Sequence, residues 1–322
     1  SDVYKRQVDS EVNFSMPLSG PDPQPDVEVL VNFDNASARS DDWGIALSQI
    51  NGLLQVTPSA LKARSIDARF FDDAVKIDVD TLRPSGNTLV TARGKVETGR
   101  LLNKLPTQFT SNMHGKSDWQ VGINIAGLTA SKDKPFLRLE AESELEHTRV
   151  DLPHPFAKSA ADITRVSANV DFFPEQIWFK SRVGNEILGR GQLVPAPDDG
   201  FRLNLLDLAF STDLKAETRQ GLNLYGSLEQ VSVDDWVRFI KSSGGANNKL
   251  LQSVELDFDR IYLLGRELSD VRVKVNQDKQ GFLGEVESSF VNGDFVAPWQ
   301  PTAKNPLLID PVSYTHLRAH ET

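Results

Sequence analysis

The stretch Phe136–Lys158, FLRLEAESELEHTRVDLPHPFAK, holds the pattern that decides the fold. Its first half alternates apolar and charged residues with a period of two, which is typical of a β-strand with two different faces. Pro153 and Pro155 then enclose a loop, because proline cannot donate a hydrogen bond within a sheet. The apolar side of this strand would carry Leu137, Leu139, Ala141 and Leu145, and the wet side Arg138, Glu140, Glu142, Glu144 and Glu146.

The same alternation recurs along the whole chain. Turn residues such as those at 84–87, 197–200 and 277–281 separate the alternating segments, which indicates an antiparallel meander. No strand–helix–strand rhythm is present, so a parallel sheet is not expected. The sequence predicts a mainly β fold built on an extended antiparallel sheet, with strands at Val27–Phe33, Val75–Val79, Val121–Ile125, Val166–Phe172, Leu203–Leu205, Val254–Phe258 and Val271–Val275.

Two short helices are predicted, at Thr98–Leu105 and at Asp234–Ile240. The second has an acidic first turn and ends before a Gly-rich stretch, so residues 241–249 are predicted to form a loop. Each helix follows a similar strand end, at 94–97 and at 226–229. This similarity indicates two degenerate repeats of about 130 residues within one elongated segment, residues 8–311.

Composition excludes several classes of function. The net charge of −10 argues against a nucleic-acid surface and against docking on anionic lipid, since both need basic patches. The chain has no cysteine, so neither a disulfide framework nor a cysteine zinc site is available. Apolar residues make up 39% of the chain, without the run of about 18 that a membrane-spanning helix needs.

The sequence offers no reaction chemistry. His114, His147 and His154 are isolated from one another, whereas metal sites need clustered ligands. The glutamates of the opening strand share one face and repel each other, which favours a wet surface over acid–base catalysis. We therefore expect no catalytic residue, no metal and no cofactor.

Residues 142–158 also resemble a known family. The segment Asp151–Lys158, DLPHPFAK, is similar to the Asp-Leu-Pro-x-Pro signature of YhdP-type proteins, large envelope proteins of the AsmA-like group in Gram-negative bacteria. Further similar segments lie at 47–79, 225–240, 250–275 and 284–298. Glu144 and the Glu146-His147 pair depart from the family pattern. The matching positions, to which we assign a structural role, are Asp151, Leu152, Pro153, Pro155, Phe156, Lys158, Gly226, Asp235 and Trp236.

The resemblance implies a twisted β-sheet that forms a groove with an apolar lining. Burying an acyl chain contributes about 0.8 kcal/mol per methylene, so such a groove could hold lipid tails. A register slip of one residue would reverse the assignment of faces. The candidate lining residues are Val27, Val29, Val31, Phe33, Val75, Ile77, Val79, Leu137, Leu139, Val254, Leu256, Phe258, Val271, Val273 and Val275.

By the same resemblance, the chain is expected to be part of a periplasmic bridge that carries phospholipid from the inner to the outer membrane and so supports the outer-membrane barrier. Its partners would be phospholipid acyl chains and, through segments of a parent protein anchored in the inner membrane, both membranes. The alternative is a β-sandwich scaffold that transports nothing and binds other envelope proteins, with its apolar faces packed on each other.

The two ends of the chain carry a different resemblance. SDVYKRQ at residues 1–7 and VSYTHLRAHET at residues 312–322 resemble translated sequencing-adapter sequence. Such scars are set aside in fold reasoning.

Overall fold

The computed structural model describes residues 8–15, 26–40, 45–83, 85–102, 110–127, 133–196, 200–242, 250–279, 281–289, 292–298 and 308–313. Most of these residues lie in strands and few in helices, which confirms the mainly β fold class. The chain divides into two compact units. The first comprises Ser1–Val150 with Lys158–Ile177, and the second comprises Asp151–Ala157 with Trp178–Thr322.

The first unit is built on one antiparallel sheet in which each strand pairs with the next strand along the sequence. Its strands are β1 Val8–Ser15, β2 Asp26–Ser40, β3 Ile45–Thr57, β4 Ala60–Phe70, β5 Asp73–Leu82, β6 Asn87–Glu97, β8 Lys116–Ile125, β9 Leu137–Ser143 and β11 Val166–Phe173. A helical turn, α1 Thr98–Leu101, follows β6 directly. The short strands β7 Met113–His114 and β10 Arg149–Val150 form a separate antiparallel pair.

The second unit has a mixed sheet. Its elements are β12 Gln176–Val183, within which the division between the units falls, β13 Ile187–Pro195, β14 Phe201–Phe210, β15 Gly221–Ser232, α2 Val233–Ser242, β16 Leu251–Leu263, β17 Arg266–Asp278, β18 Gly281–Glu287, β19 Asn292–Pro298 and β20 Leu308–Ser313. The pairings from β16 to β20 and between β13 and β14 are antiparallel, whereas β14–β15 and β15–β16 are parallel.

The two parallel pairings differ from the sequence prediction of an antiparallel meander. Residues 211–220 return the chain from the end of β14 to the start of β15, and α2 begins the return from β15 to β16. The first crossover contains no helix, so it leaves no helical signal between two strand patterns. A parallel pair nevertheless requires such a crossover, whereas an antiparallel pair can be joined by a tight turn.

The strand predictions are confirmed, with one correction in the opening stretch. β9 ends at Ser143, not at Glu146. Leu145 has a left-handed backbone with φ of 47° and is buried, so Glu144 and Glu146 do not extend the acidic row of the strand. Backbone hydrogen bonds from Thr164 N to Glu144 O and from His147 N to Ala160 O fold this turn onto the following segment instead.

The helix predictions are confirmed in position and corrected in length. α1 ends at Leu101, and residues 103–109, where its predicted end falls, lie outside the described residues. α2 runs two residues beyond the predicted Ile240, and residues 243–249 of the predicted loop are also outside. Asp234 and Asp235 occupy the first turn of α2, where the helix dipole favours negative charge.

Candidate functional site

The sheet of the first unit carries rows of apolar side chains that run across its strands. Paired residues in neighbouring strands point to the same face, so the pairing register defines each row. One row crosses eight strands and consists of Val31, Leu54, Ala63, Val79, Val90, Ile123, Leu139 and Val170. A parallel row beside it contains Ile77, Ala92, Val121, Ala141 and Ala168. We call this surface the first apolar face.

The first apolar face is partly open. Every residue of its eight-strand row except Ala63 is partly exposed, and Ile125, one row further along β8, is 42% exposed. The opposite face of the same strands carries the charged side chains, including the ion pairs Arg93–Asp78 at 3.4 Å and Arg138–Asp171 at 2.5 Å. The sheet therefore separates an apolar side from a charged side.

One end of the first apolar face is covered by the chain itself. Trp119 packs there with Val75, Val96 and Leu145 in a buried cluster. Next to this cluster lies a chain of buried hydroxyl groups, in which Thr148 Oγ1 is 3.0 Å from Thr98 Oγ1 and 2.6 Å from Ser117 Oγ. The Trp119 indole N–H donates to Thr98 Oγ1 at 3.4 Å, so the polar atoms of this end are satisfied internally.

The second unit has a corresponding surface, the second apolar face. Its rows follow the pairing register from β13 to β19 and are graded in exposure. Two neighbouring rows are partly exposed along their length. The first consists of Leu206, Leu222 and Leu251, and the second of Leu208, Leu224, Val254, Val275, Gly284 and Phe295. The next rows contain the buried residues Ile187, Phe210, Leu256, Leu228, Phe258 and Val271.

An aromatic cluster covers the buried rows of the second apolar face. The Phe156 ring packs edge-on against Phe210 at 6.3 Å and against Trp236 at 5.9 Å, measured between ring centroids. Trp236 also packs against Phe239 of α2 at 5.8 Å. The Trp236 indole N–H donates to the carbonyl oxygen of His154 at 2.9 Å, and His154 Nδ1 donates to Gln230 O at 3.0 Å. The 151–157 loop and α2 thus form one packed unit.

The other face of the second sheet holds a buried ionic network. Arg190 donates two hydrogen bonds to Asp207 Oδ2, at 3.2 and 2.5 Å, and one to Lys215 O at 2.8 Å. Asn223 donates to Asp207 Oδ1 at 3.0 Å and accepts a hydrogen bond from Ser253. These contacts pin the 211–220 crossover onto β13–β16, which accounts for the burial of charged residues on this side.

The structure places the predicted lining residues on these two faces, with different degrees of cover. Val31, Val79 and Leu139 share the eight-strand row of the first face, and Val254 and Val275 share an open row of the second. Leu256, Phe258 and Val271 lie on the same face but are at most 8% exposed, because the chain's own side chains cover them. Among the remaining predicted lining residues, Val75 is buried. The others are partly exposed, namely Val27, Val29, Phe33, Ile77, Leu137 and Val273.

The family-motif positions come together in structural roles. Phe156 and Trp236 contact each other, and Leu152 is buried while Asp151 is exposed. Gly226 has φ of 114°, and a Cβ atom there would lie 2.0 Å from Phe210 O. Other motif positions make local contacts. The carbonyl oxygen of Pro153 accepts a hydrogen bond from the Phe156 backbone N–H, and the His154–Pro155 peptide is cis. Asp235 pairs with Arg238 at 3.3 Å.

Lys158 and Asp73 are among the charged groups of the first unit whose pKa values are perturbed. Burial of Lys158 lowers the pKa of its amine, although Nζ donates to Thr148 O at 2.8 Å and Ser159 O at 3.0 Å. Burial opposes the ionisation of Asp73, but the hydrogen bonds from Lys116 and the Glu97 backbone N–H outweigh it, so its pKa lies below the ordinary value. Both groups hold backbone turns together.

Several buried residues of the second unit were not predicted from the sequence. Phe210, Leu228 and Ile187 were not singled out, because each looks like any other apolar strand residue. The buried Asp207 was also missed, although a lone acidic residue within the run Leu205–Phe210 was a readable signal. No group of potential metal ligands occurs among the residues that the structure describes.

The described rows of the two apolar faces offer binding by area. None of the described helices is long and apolar enough to cross a membrane. A protein of this class presents open single-sheet faces with one apolar side. Comparison with protein families finds a match between residues 3–322 and the family described as YhdP protein, so this chain belongs to the YhdP family. No curated protein and no solved structure matches it.

The family match includes both terminal stretches that resemble adapter sequence. β20 reaches Ser313, two residues into the second stretch, whereas residues 1–7 and 314–322 lie outside the described residues. The assignment of these ends as scars, and the division into degenerate repeats, stay predictions.

Proposed function

We propose that this chain is a segment of a periplasmic lipid-transfer protein, and that its apolar faces carry phospholipid acyl chains between the inner and the outer membrane. The observation that supports this most is the eight-strand row of the first apolar face. It is uninterrupted by charge and partly exposed along nearly its whole length. Membership of the YhdP family, whose members resemble AsmA-like envelope proteins, agrees with this location and role.

The row is long enough to hold an acyl chain along its length. Eight strands at a spacing of about 4.8 Å span about 34 Å, whereas one acyl chain occupies about half of a bilayer core of about 30 Å. Soluble monomers rarely leave contiguous apolar surface of more than a few hundred Å² open to water. Such a surface needs an apolar occupant, and a lipid tail gains about 0.8 kcal/mol per buried methylene.

Transport of this kind requires no catalytic residue in the chain. A row of similar aliphatic side chains gives similar binding energy at each step, so a lipid can move along it without a deep trap. The charged face keeps the other side of the sheet in water. We expect the parent protein to be anchored in the inner membrane and to contact both membranes through segments outside this chain.

Photo-crosslinking in the parent protein tests this proposal. A photoreactive residue is placed at Val254 or Val275 on the second apolar face, and at Glu255 or Lys274, their chain neighbours on the opposite face. Phospholipid adducts at the two valine positions and none at the two charged positions are expected. Adducts to protein alone at the valine positions would overturn the proposal and favour the scaffold, in which the faces pack against other proteins.

A further inference from the structure

The second apolar face is not uniform, and its open part has a defined edge. The Leu208 row is partly exposed from β14 to β19, and the Leu206 row is partly exposed from β14 to β16. Beyond them, Phe210, Leu256 and Phe258 in β14 and β16 are buried, whereas Val273 and Val286 in β17 and β18 are partly exposed. The boundary coincides with the contact of the Phe156 ring on Phe210. We call the two open rows the open strip, and Phe156 with Trp236 the aromatic wall.

We propose that the acyl chains of a bound lipid occupy only the open strip of the second unit, and that the aromatic wall sets its edge. The inference rests on the proposed lipid-transfer function. It goes further by assigning which apolar rows are accessible to lipid and which residues confine it. Phe156 and Trp236 are then positioning residues, because they bound the strip without forming its floor.

The direction of the acyl chain follows from the width of the strip. Two rows on one face of a strand are two residues apart, which is about 7 Å. An acyl chain occupies about half of a bilayer core, roughly 15 Å. The acyl chain is therefore too long to lie along a strand within the strip. It must lie across the strands, in the direction in which the rows continue.

Two glycines of the open strip lie beneath aromatic rings. A Cβ atom at Gly284 would lie 2.3 Å from the Phe295 ring, and one at Gly191 would lie 2.1 Å from the Phe179 ring. Each ring therefore extends over a glycine, where a side chain would clash with it. Gly284 pairs with Val275 and Phe295, and Gly191 pairs with Leu206, so both contacts belong to the strip. The two glycines thus make room for aromatic rings on this part of the face.

The wall is held by polar contacts that are independent of lipid. The Trp236 indole N–H bonds to His154 O at 2.9 Å, and Asp235 N bonds to Ser232 Oγ at 3.2 Å at the start of α2. The first bond joins the loop 151–157 to the helix 233–242, and the second caps the start of that helix. An apolar cover alone would be free to slide, whereas a hydrogen-bonded cover keeps its edge in one place.

A map of lipid contacts on the unmodified chain tests the inference. The probe is phosphatidylethanolamine with a diazirine near the end of one acyl chain, presented in vesicles, and adducts are located by peptide mass spectrometry. We expect adducts at Leu206, Leu222, Val254 and Val275, and none at Phe210, Phe258 or Val271. Adducts on both sets of rows would overturn the inference and leave the lipid-transfer function standing. An absence of adducts on every row would overturn the proposed function itself.

Variants of the wall give a second, independent measurement. Phe156→Ala should extend the adducts to Phe258 and Val271 while those in the strip remain. Trp236→Phe keeps an aromatic ring but loses the indole N–H bond to His154 O, so it should extend the adducts in the same direction to a smaller degree. Phe136→Ala removes a ring of the same kind from the first unit and serves as the control. An unchanged map in a folded Phe156→Ala chain would show that the wall does not set the edge.

Discussion

At the scale of single residues, the Arg190–Asp207 pair shows how a charge is kept inside this sheet. The Asp207 side chain is buried at 3% exposed and that of Arg190 is 13% exposed, Arg190 also donates to Lys215 O in the 211–220 crossover, and Asn223 donates to Asp207 Oδ1. Removing one partner of such a pair leaves an unpaired buried charge, which costs far more than the pair itself contributes. The pair therefore stabilises the crossover that connects the parallel strands β14 and β15.

Replacement of Asp207 tests this account. Asp207→Ala should lower the free energy of unfolding by about 3–5 kcal/mol, since Arg190 would stay buried without its partner. Urea titration of the second unit's transition measures the change. Asp257→Ala breaks an Arg–Asp pair that is about half exposed and should lower the free energy of unfolding far less, because solvent screens that pair. Equal losses for the two variants would contradict the role of burial.

Asp73 predicts a pH dependence of stability. Its folded pKa lies below the unfolded value, so it contributes stability above the unfolded pKa of about 3.9, and this contribution is lost as the pH falls through the folded pKa. The stability difference between the wild type and Asp73→Asn should therefore be largest at neutral pH and vanish in strong acid. Urea titrations between about pH 7 and pH 2 measure it. Asp67→Asn, at an exposed pair with Lys76, should show little difference at any pH.

At the scale of elements, a bulge keeps the apolar rows aligned. Ser65 has φ of 55°, and the pairing of β4 with β5 shifts between Ala63 and Ile66. These two residues are three apart, yet both are buried. Strict alternation would place them on opposite faces, so the extra residue restores the apolar side chains to one face. Asn35 marks a similar shift between Phe33 and Ala36 in β2.

Gly226 permits the close approach of β15 to β14. Its φ of 114° already disfavours a side chain, and a Cβ atom would lie 2.0 Å from Phe210 O. Gly226→Ala should therefore destabilise the second unit by more than the roughly 1–2 kcal/mol of the backbone effect alone. Gly265→Ala is the control, because it has a φ of 71° and nothing within 4 Å of the added atom. If urea denaturation gives the same loss for both, the close approach is not what requires glycine.

At the scale of the whole molecule, each unit presents a face that is closed at one end by its own side chains and open beyond. In the first unit Trp119 and Leu145 close the face, and in the second Phe156, Phe210 and Trp236 do so. In both units the covered end lies where a helix follows a strand, β6 before α1 and β15 before α2. Residues 94–97 do end β6, whereas 226–229 lie within β15, which continues to Ser232, so the predicted similarity of two strand ends holds only for the first.

A single charge in an open row should interrupt lipid binding. A charged side chain in hydrocarbon costs about 2.5–3.5 kcal/mol, so Val170→Glu in the eight-strand row should reduce phospholipid that copurifies with the parent protein by tenfold or more. Asn169→Glu changes the adjacent residue on the opposite, exposed side of β11 and should leave the lipid content unchanged. Similar lipid content in both variants would count against the first apolar face as the binding surface.

The strands, the two faces of each strand, the positions of both helices and the family could be predicted from the sequence alone. Alternation is a local property, so Val75–Val79 or Val271–Val275 can be read without knowing their neighbours. The motif residues Phe156 and Trp236 were also readable, although their contact was not.

Only the tertiary structure decided which rows are open, because cover depends on residues far apart in the chain. The bond from Trp236 to His154 spans 82 residues, and no local pattern predicts it. The parallel pairing of β14–β16 and the register that aligns eight strands are likewise contacts between distant segments. Phe258 and Val254 have the same alternation, yet one is buried and the other partly exposed, because Phe156 and α2 cover one end of that face.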